Sequence, residues 1–417
     1  MAFLVPSNSS SLLKSAMFMA GATALTIFAF SQLDRRGATS GYEELVQVGT
    51  PPAPPAQIDP IPLGDRPISS DAKVQMAILL DTSSSMSGLI DQARGQLWRI
   101  VNEVGRAQIA GERPALEIAI YEYGNSSLSP GDGYIRQVLG LTSDLDTVSE
   151  ALFSLTTSGG SEHAGQVIAR AHHDLAWSDD PNALRLVYIA GNETFEQGPI
   201  DFRQAIGAAK DDGLLITTIH CGNEEQGARD LWAEAAMLAD GRYLAIDHNA
   251  AVVHIDAPQD AEIARLGAAL NDTYVYYGRQ GRSAYENQMR QDNNAGLFGI
   301  GSSAQRAVSK SSGMYRNDHW DLVDGVTKGG VSIDEIERDT LPPELEGLGE
   351  GEIAAVVNEK AKQRGEIQSE IAKLERERRE YVEAKRAEMA DDGTTTLDEA
   401  ILESLREPAA ERGFIFE

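Results

Sequence analysis

One cysteine, Cys221, in 417 residues leaves no partner for an intramolecular disulfide and excludes a cysteine-rich zinc site. It ends the apolar run LLITTIHC, a setting for a buried thiol rather than a nucleophile. Basic charge is scarce too. Thirty-six Lys and Arg stand against 64 Asp and Glu, a net charge of -28, which argues against sequence-independent nucleic-acid binding and favours cations or basic partners. An acidic surface that keeps the chain soluble is the plainer alternative. Enzyme signatures are missing. No G-x-x-x-x-G-K-[ST], H-E-x-x-H or G-x-S-x-G occurs, and no His–Asp pairing at a supporting distance accompanies Ser84. The chain therefore reads as a non-enzyme. With 42% hydrophobic and 24% charged residues it has the composition of a globular protein with a real core, in one large domain or two ordinary ones plus appendages.

Charge is also absent from SAMFMAGATALTIFAFSQL, residues 15–33. As a helix these residues span about 28 Å, enough for a bilayer core. A cleaved signal peptide and an uncleaved anchor are both open; without a clean A-x-A site the anchor is favoured, with a secreted product if the segment is removed. Residues 1–36 are read as this signal or anchor segment and 37–70 as a linker. Its stretch GTPPAPPAQIDPIPLGDRP has seven prolines, so it favours an extended polyproline spacer over packed structure.

From residue 74 onward, apolar runs alternate with helix-period segments. The runs VQMAILL, LEIAIYEY, LRLVYIA, LLITTIH and RYLAI predict strands, with helices over 89–108, 145–155, 164–177, 200–212 and 228–240. IRQVLGL follows a Gly/Ser-rich turn and predicts an antiparallel hairpin. Near-continuous apolar strands between amphipathic helices give a doubly wound α/β domain, its mainly parallel sheet covered on both faces, over 71–255. Residues 256–345 read as a further helix–strand region packed on it, with PQDAEIARLGAALNDTYVYYG as one helix–strand unit. Residues 346–417 read as a C-terminal helical hairpin. In it Ile367, Ile371, Leu374 and Tyr381 of one helix face Leu397, Ile401, Leu402 and Leu405 of the next, a pairing too short for a long coiled coil.

Chemistry is concentrated where AILL runs into DTSSS. In an open α/β sheet the ligand crevice lies outside the carboxyl ends of the strands, which is where Asp81, Ser83 and Ser85 fall. Carboxylate and hydroxyl oxygens without thiolate or imidazole suit a hard divalent cation, Mg²⁺ or else Mn²⁺ or Ca²⁺. A cap on the following helix made by Asp81, Thr82 and Ser83 is the competing reading. Glu224 and Glu225 follow a strand and are placed at the same crevice or simply on a loop. His163, His172 and His173 are assigned packing or surface roles.

The DTSSS segment after an apolar strand, with TTSGGSEHAGQVIARA opening a later helix, resembles a von Willebrand factor A (VWA) domain over roughly residues 73–250. The resemblance implies a metal-ion-dependent adhesion site. Asp81, Ser83 and Ser85 match its D-x-S-x-S motif, and Ser161, with Thr157 as alternative, stands where a Thr or Ser ligand is expected. It also implies a binding role in which a partner's Glu or Asp takes the open metal position. The family's usual Asp-Gly after the fourth parallel-sheet strand is missing: VYIAGNE places Gly191 there, with Asn192 or Glu193 as candidate substitutes. IAGNE and CGNEE are similar to bacterial envelope VWA proteins of unassigned function, which with the anchor implies the periplasmic side of the inner membrane. A scaffold whose C-terminal helices bind the partner, with a degenerate metal site, is the alternative.

Overall fold

The computed structural model describes residues 68–109, 111–249, 255–388 and 396–416. The candidate membrane segment and the linker up to residue 67 lie outside them, while residues 68–70, assigned to the linker from sequence, begin the first strand. Among the described residues no helix is long and apolar enough to cross a membrane.

Six strands build the main sheet: β1 (Ile68–Asp81), β2 (Arg113–Tyr123), β3 (Ile135–Thr142), β4 (Leu184–Gly191), β5 (Leu215–Cys221) and β6 (Tyr243–Ile246). Their order is β3-β2-β1-β4-β5-β6, parallel throughout except for β3, which returns antiparallel to β2. The doubly wound α/β reading therefore holds, including the single hairpin. The helices between strands are α1 (Ser87–Val104), α2 (Leu145–Ser154), α3 (Ala164–Asp174), α4 (Phe202–Asp211), α5 (Glu224–Arg229) and α6 (Trp232–Leu238). Beyond β6 come α7 (Asp260–Asn271), α8 (Gly281–Gly296), α9 (Ile300–Ser311), α10 (Leu322–Thr327), α11 (Pro343–Glu346), α12 (Glu350–Glu388) and α13 (Leu397–Glu411).

The apolar runs are continuous because both sheet faces are covered. Along β1, Met76, Ile78 and Leu80 enter one core while Ala77 and Leu79 enter the other. The first core is closed by α1, whose Leu89, Ala93, Leu97 and Val101 recur at helical spacing, together with α2 and α13. The second is closed by α3, α4 and α6. The helix expected over 228–240 is two. Leu231 takes a left-handed conformation (φ 73°) between α5 and α6, and Trp232 is buried beneath the second core.

The region after β6 departs from the sequence reading in three ways. TYVYYG forms no sheet strand. It makes an isolated bridge between Tyr276 and Asp321, and the Asp321 carboxylate takes the Val275 N–H at 2.8 Å, so local polar groups satisfy this backbone. The long helix α12 and α13 use their buried faces mainly on other elements rather than on each other. α12 packs on α7, α9 and α10, and α13 lies on α1 and on β4, β5 and β6. Three charged residues of α12 are buried in ion pairs: Arg378 with Asp260 at 2.5 Å, Glu375 with Arg106 at 2.8 Å, and Arg364 with Asp321 at 2.6 Å.

The third departure concerns the domain itself. Leu397, Ala400, Ile401, Leu405 and Ala409 share the first core with strand residues, and Gln92 of α1 accepts the Leu397 N–H at 3.0 Å. A capping box between Thr396 and Glu399 starts α13. The helix layer over the sheet thus comes partly from the C-terminus, and α7 to α12 are inserted between β6 and the helix that completes it. Ile401→Ala is expected to destabilise the whole α/β fold by about 2–5 kcal/mol. Urea denaturation followed by tryptophan fluorescence checks this, and an unchanged midpoint would mark α13 as an appendage.

Candidate metal centre

Asp81 ends β1 between Tyr123, its register partner on β2, and Gly191, the last residue of β4. The chain order reverses between β1 and β4, so the carboxylate stands at the switch point of the sheet, where α/β folds leave a crevice. Its side chain is fully buried, and Oδ1 accepts the Ser83 backbone N–H at 2.7 Å. Oδ2 is buried and has no hydrogen-bond partner.

Alternation explains the D-x-S-x-S spacing. Thr82 turns inward and donates to Glu122 (3.2 Å) and to the Tyr123 carbonyl (3.3 Å). Ser83, buried, and Ser85, exposed, bring their hydroxyls to 3.4 Å from each other. Neither the short turn Ser84–Met86 nor α1 has a side-chain cap, so the helix-cap reading fails. Asn192 joins these hydroxyls, its Nδ2 3.3 Å from the Ser85 oxygen, and its Oδ1 is a second buried oxygen without a partner. The Asp81 carboxylate and the two hydroxyls, with the Asn192 side-chain amide against Ser85, are a donor set suited to a hard cation.

The loop before α3 approaches from the other side. Ser158 donates its N–H to the Thr82 carbonyl at 3.0 Å, and Gly160 packs against the Gly124 backbone, too close for any side chain. Ser161 is half-buried on this loop. Next to it is a residue the sequence reading passed over. Glu162 is buried, and a side chain at Gly124 would run into both the Glu162 Cγ and Asp81 Oδ1, so these two groups border the same small space. The signal was present in SGGSEH, a carboxylate adjoining the expected hydroxyl ligand.

Other candidates fall elsewhere. Glu193 is exposed, its carboxylate 3.4 Å from the Gln197 amide. Glu224 starts α5, exposed, and its carbonyl accepts the Tyr243 hydroxyl at 2.5 Å; Glu225 is exposed beside Arg229. Neither is among the charges that act on Asp81. His163 adjoins Gln166 (3.2 Å), His172 pairs with Asp212 (2.7 Å) and His173 with Asp174 (3.0 Å).

Gly191 has a steric reason. A Cβ there would lie 2.4 Å from the Tyr123 hydroxyl oxygen and 3.1 Å from Asp81 Oδ2. The hydroxyl donates to the Ala190 carbonyl at 3.0 Å and fills the space an aspartate would need.

The electrostatics follow from burial that hydrogen bonds offset only in part. Desolvation pushes the Asp81 carboxyl from 3.8 up to about 7, the Glu162 charge adding to the rise and the Ser83 N–H opposing it. Glu162 is raised by its own burial and then by the charge of Glu193. Elsewhere each buried carboxylate has an arginine: Glu122 with Arg136, Asp146 with Arg306, Asp260 with Arg378, Asp321 and Asp324 with Arg364, Glu375 with Arg106, and Asp398 with Arg99. Among the described residues Asp81 and Glu162 have no ion-pair partner of this kind. Nor do any three His, Cys, Asp or Glu side chains form a chelating cluster there, so a cation at this place relies on hydroxyl and amide oxygens as well.

No protein-family model matches the chain, and no curated protein matches it. Solved structures do. The BatB protein of Bacteroides thetaiotaomicron aligns at 17% identity over 42% of this chain and 90% of its own, with a TM-score of 0.33. The VWA domain of SpRpn10 aligns at 15% identity over 42% and 87%, with a TM-score of 0.30. Proximal thread matrix protein 1 from the mussel byssus, with a zinc-occupied metal-ion-dependent adhesion site, aligns at 13% identity over 42% of each chain, with a TM-score of 0.32. The fold is VWA-like, on the strength of its own strand order and two helix layers.

Two outcomes are expected. An acid held above its unfolded value makes the native state the stronger proton binder, so Asp81 costs stability as pH rises from about 4 to about 7. In chelator, Asp81→Asn should therefore be more stable than the parent chain at pH 8, by on the order of 4 kcal/mol at most, and the difference should vanish near pH 4. Urea midpoints at the two pH values test this, and equal differences at both would refute it. Gly191→Ala should destabilise the fold by about 1–3 kcal/mol by displacing the Tyr123 hydroxyl, read in the same assay.

Proposed function

We propose that this chain is a non-enzymatic binding module that captures a protein partner through a divalent cation at the crevice, held at the bacterial envelope by its N-terminal apolar segment. The observation that carries the reading is the gathering, at one strand end, of the buried Asp81 carboxylate, whose Oδ2 has no hydrogen-bond partner, with the Ser83 and Ser85 hydroxyls 3.4 Å apart and the Asn192 amide against Ser85. Asp81 supplies charge, the two serines and Asn192 supply neutral oxygens, and Ser161 is the remaining hydroxyl candidate from the loop before α3. A divalent ion there, Mg²⁺ by the hardness of these donors or else Mn²⁺ or Ca²⁺, gives the partner's Asp or Glu a charge to bind.

The scaffold alternative, with partner binding through the C-terminal helices, is weakened by their packing. The apolar face of α13 is already buried on the sheet, and α12 is strapped to its neighbours by ion pairs. Calorimetric titration of Mg²⁺ or Mn²⁺ into the chelator-treated chain should show one saturable site, lost in Asp81→Ala. Absence of binding by the parent chain would reject the metal-bridged mechanism.

A further inference from the structure

We propose that Glu162 is the second protein carboxylate of this centre and compensates for the aspartate that Gly191 replaces, an inference that rests on the metal reading above. Three observations support it. Glu162 and Asp81 both border the space over Gly124, which a side chain at that glycine would fill. Among the described residues they are also the two buried acids without an arginine, whereas seven others each have one. A fold that neutralises its buried acids so consistently leaves two together only where a cation of another kind serves both. Finally, Asp81 Oδ2 is an acceptor with nothing to accept from, and it lies beside the position where an aspartate at residue 191 would start.

Topology explains the substitution. Residue 191 approaches Asp81 from β4, but Tyr123 occupies that side and its hydroxyl is held on the Ala190 carbonyl. The remaining approach is from the α3 side, where Gly160 lets the loop close onto Gly124 and brings Glu162 inward. The Glu162 backbone N–H donates to Gln197 Oε1 at 3.2 Å, which ties this loop to the segment after β4. Glu193, the acid suggested by its sequence position, is exposed and acts on Glu162 through its charge. Two carboxylates leave a divalent ion neutral, so it is retained more firmly than by Asp81 alone.

The test is Mn²⁺ binding to the purified, chelator-treated full chain, followed by the electron paramagnetic resonance signal of free Mn²⁺, with thermal midpoints measured with and without the ion. Glu162→Gln should weaken Mn²⁺ binding at least tenfold and remove most of the metal-induced rise in midpoint. Glu162→Asp should fall between, and Glu193→Gln should stay within twofold of the parent chain. Without metal, Glu162→Gln should be no less stable than the parent, because it removes an uncompensated buried charge; this separates lost ligation from lost folding. Parent-like affinity in Glu162→Gln, with binding abolished in Asp81→Asn, would overturn the role of Glu162 and leave the metal centre standing. If the parent chain binds no Mn²⁺, Mg²⁺ or Ca²⁺, the centre itself falls, and this inference with it.

Discussion

Parallel pairing of β1 with β2 on one side and β4 on the other fixes Asp81, Tyr123 and Gly191 in one row at the carboxyl edge of the sheet. The Asp81 charge cannot swing to water from there, because the residues on both flanks are backbone-locked and Tyr123 is fully packed. A carboxylate so placed raises the free energy of the native state unless something positive reaches it. The features around it answer to that demand. The Ser83 N–H points at one oxygen, the serine hydroxyls and Asn192 gather at the open side, and two glycines allow the loop before α3 to close over the group.

The same chain handles buried charge differently in its insertion. Arg364 meets Asp321 and Asp324 while lying over the Tyr274 ring, and Arg306 meets Asp146 and Asp292 over Trp98. Guanidinium groups suit this role, since a planar fork satisfies two carboxylates and still stacks on an aromatic face. Such pairs add little net stability over apolar packing, yet breaking one leaves a stranded charge, so they define how α12 docks on α10 and α9 on α2 and α8. The contrast makes the crevice stand out chemically: arginine is the ordinary counter-ion of this protein's buried acids, and among the described residues none pairs with Asp81 or Glu162.

Much of the α/β part was legible. Strands buried on both faces give continuous apolar runs, and each of the six appeared within a few residues of its position. Asp81, Ser83 and Ser85 were legible because their spacing is local and follows a strand end. What was not legible depended on distance along the chain. Nothing in TLDEAILESLRE says that its apolar face belongs to a sheet whose last strand lies some 150 residues earlier, and a partner helix nearby was the economical guess. The burial of Arg364, Glu375 and Arg378 on α12 was not legible either, because a buried ion pair leaves no mark in periodicity. Glu162 escaped for a related reason: one acid in a loop has no pattern, and its meaning comes from Gly124, Gly160 and Asp81, which only the fold assembles.

The surroundings of the centre also bear on its partner. A divalent ion held by Asp81 alone keeps net positive charge and attracts an incoming carboxylate strongly, whereas with Glu162 also bound the charge is neutralised and the attraction is short-ranged. The approaching acid must further cross the field of a chain with net charge -28 and the nearby exposed Glu193. Screening at physiological ionic strength limits that field to about 8 Å, so the repulsion acts on whatever lies immediately around the acid. A partner suited to this crevice therefore presents its Asp or Glu from a basic surface. On the reading proposed above, its lysines or arginines would meet Glu193 while its carboxylate completed the ion, so charge around the crevice would add to the metal in selecting a partner.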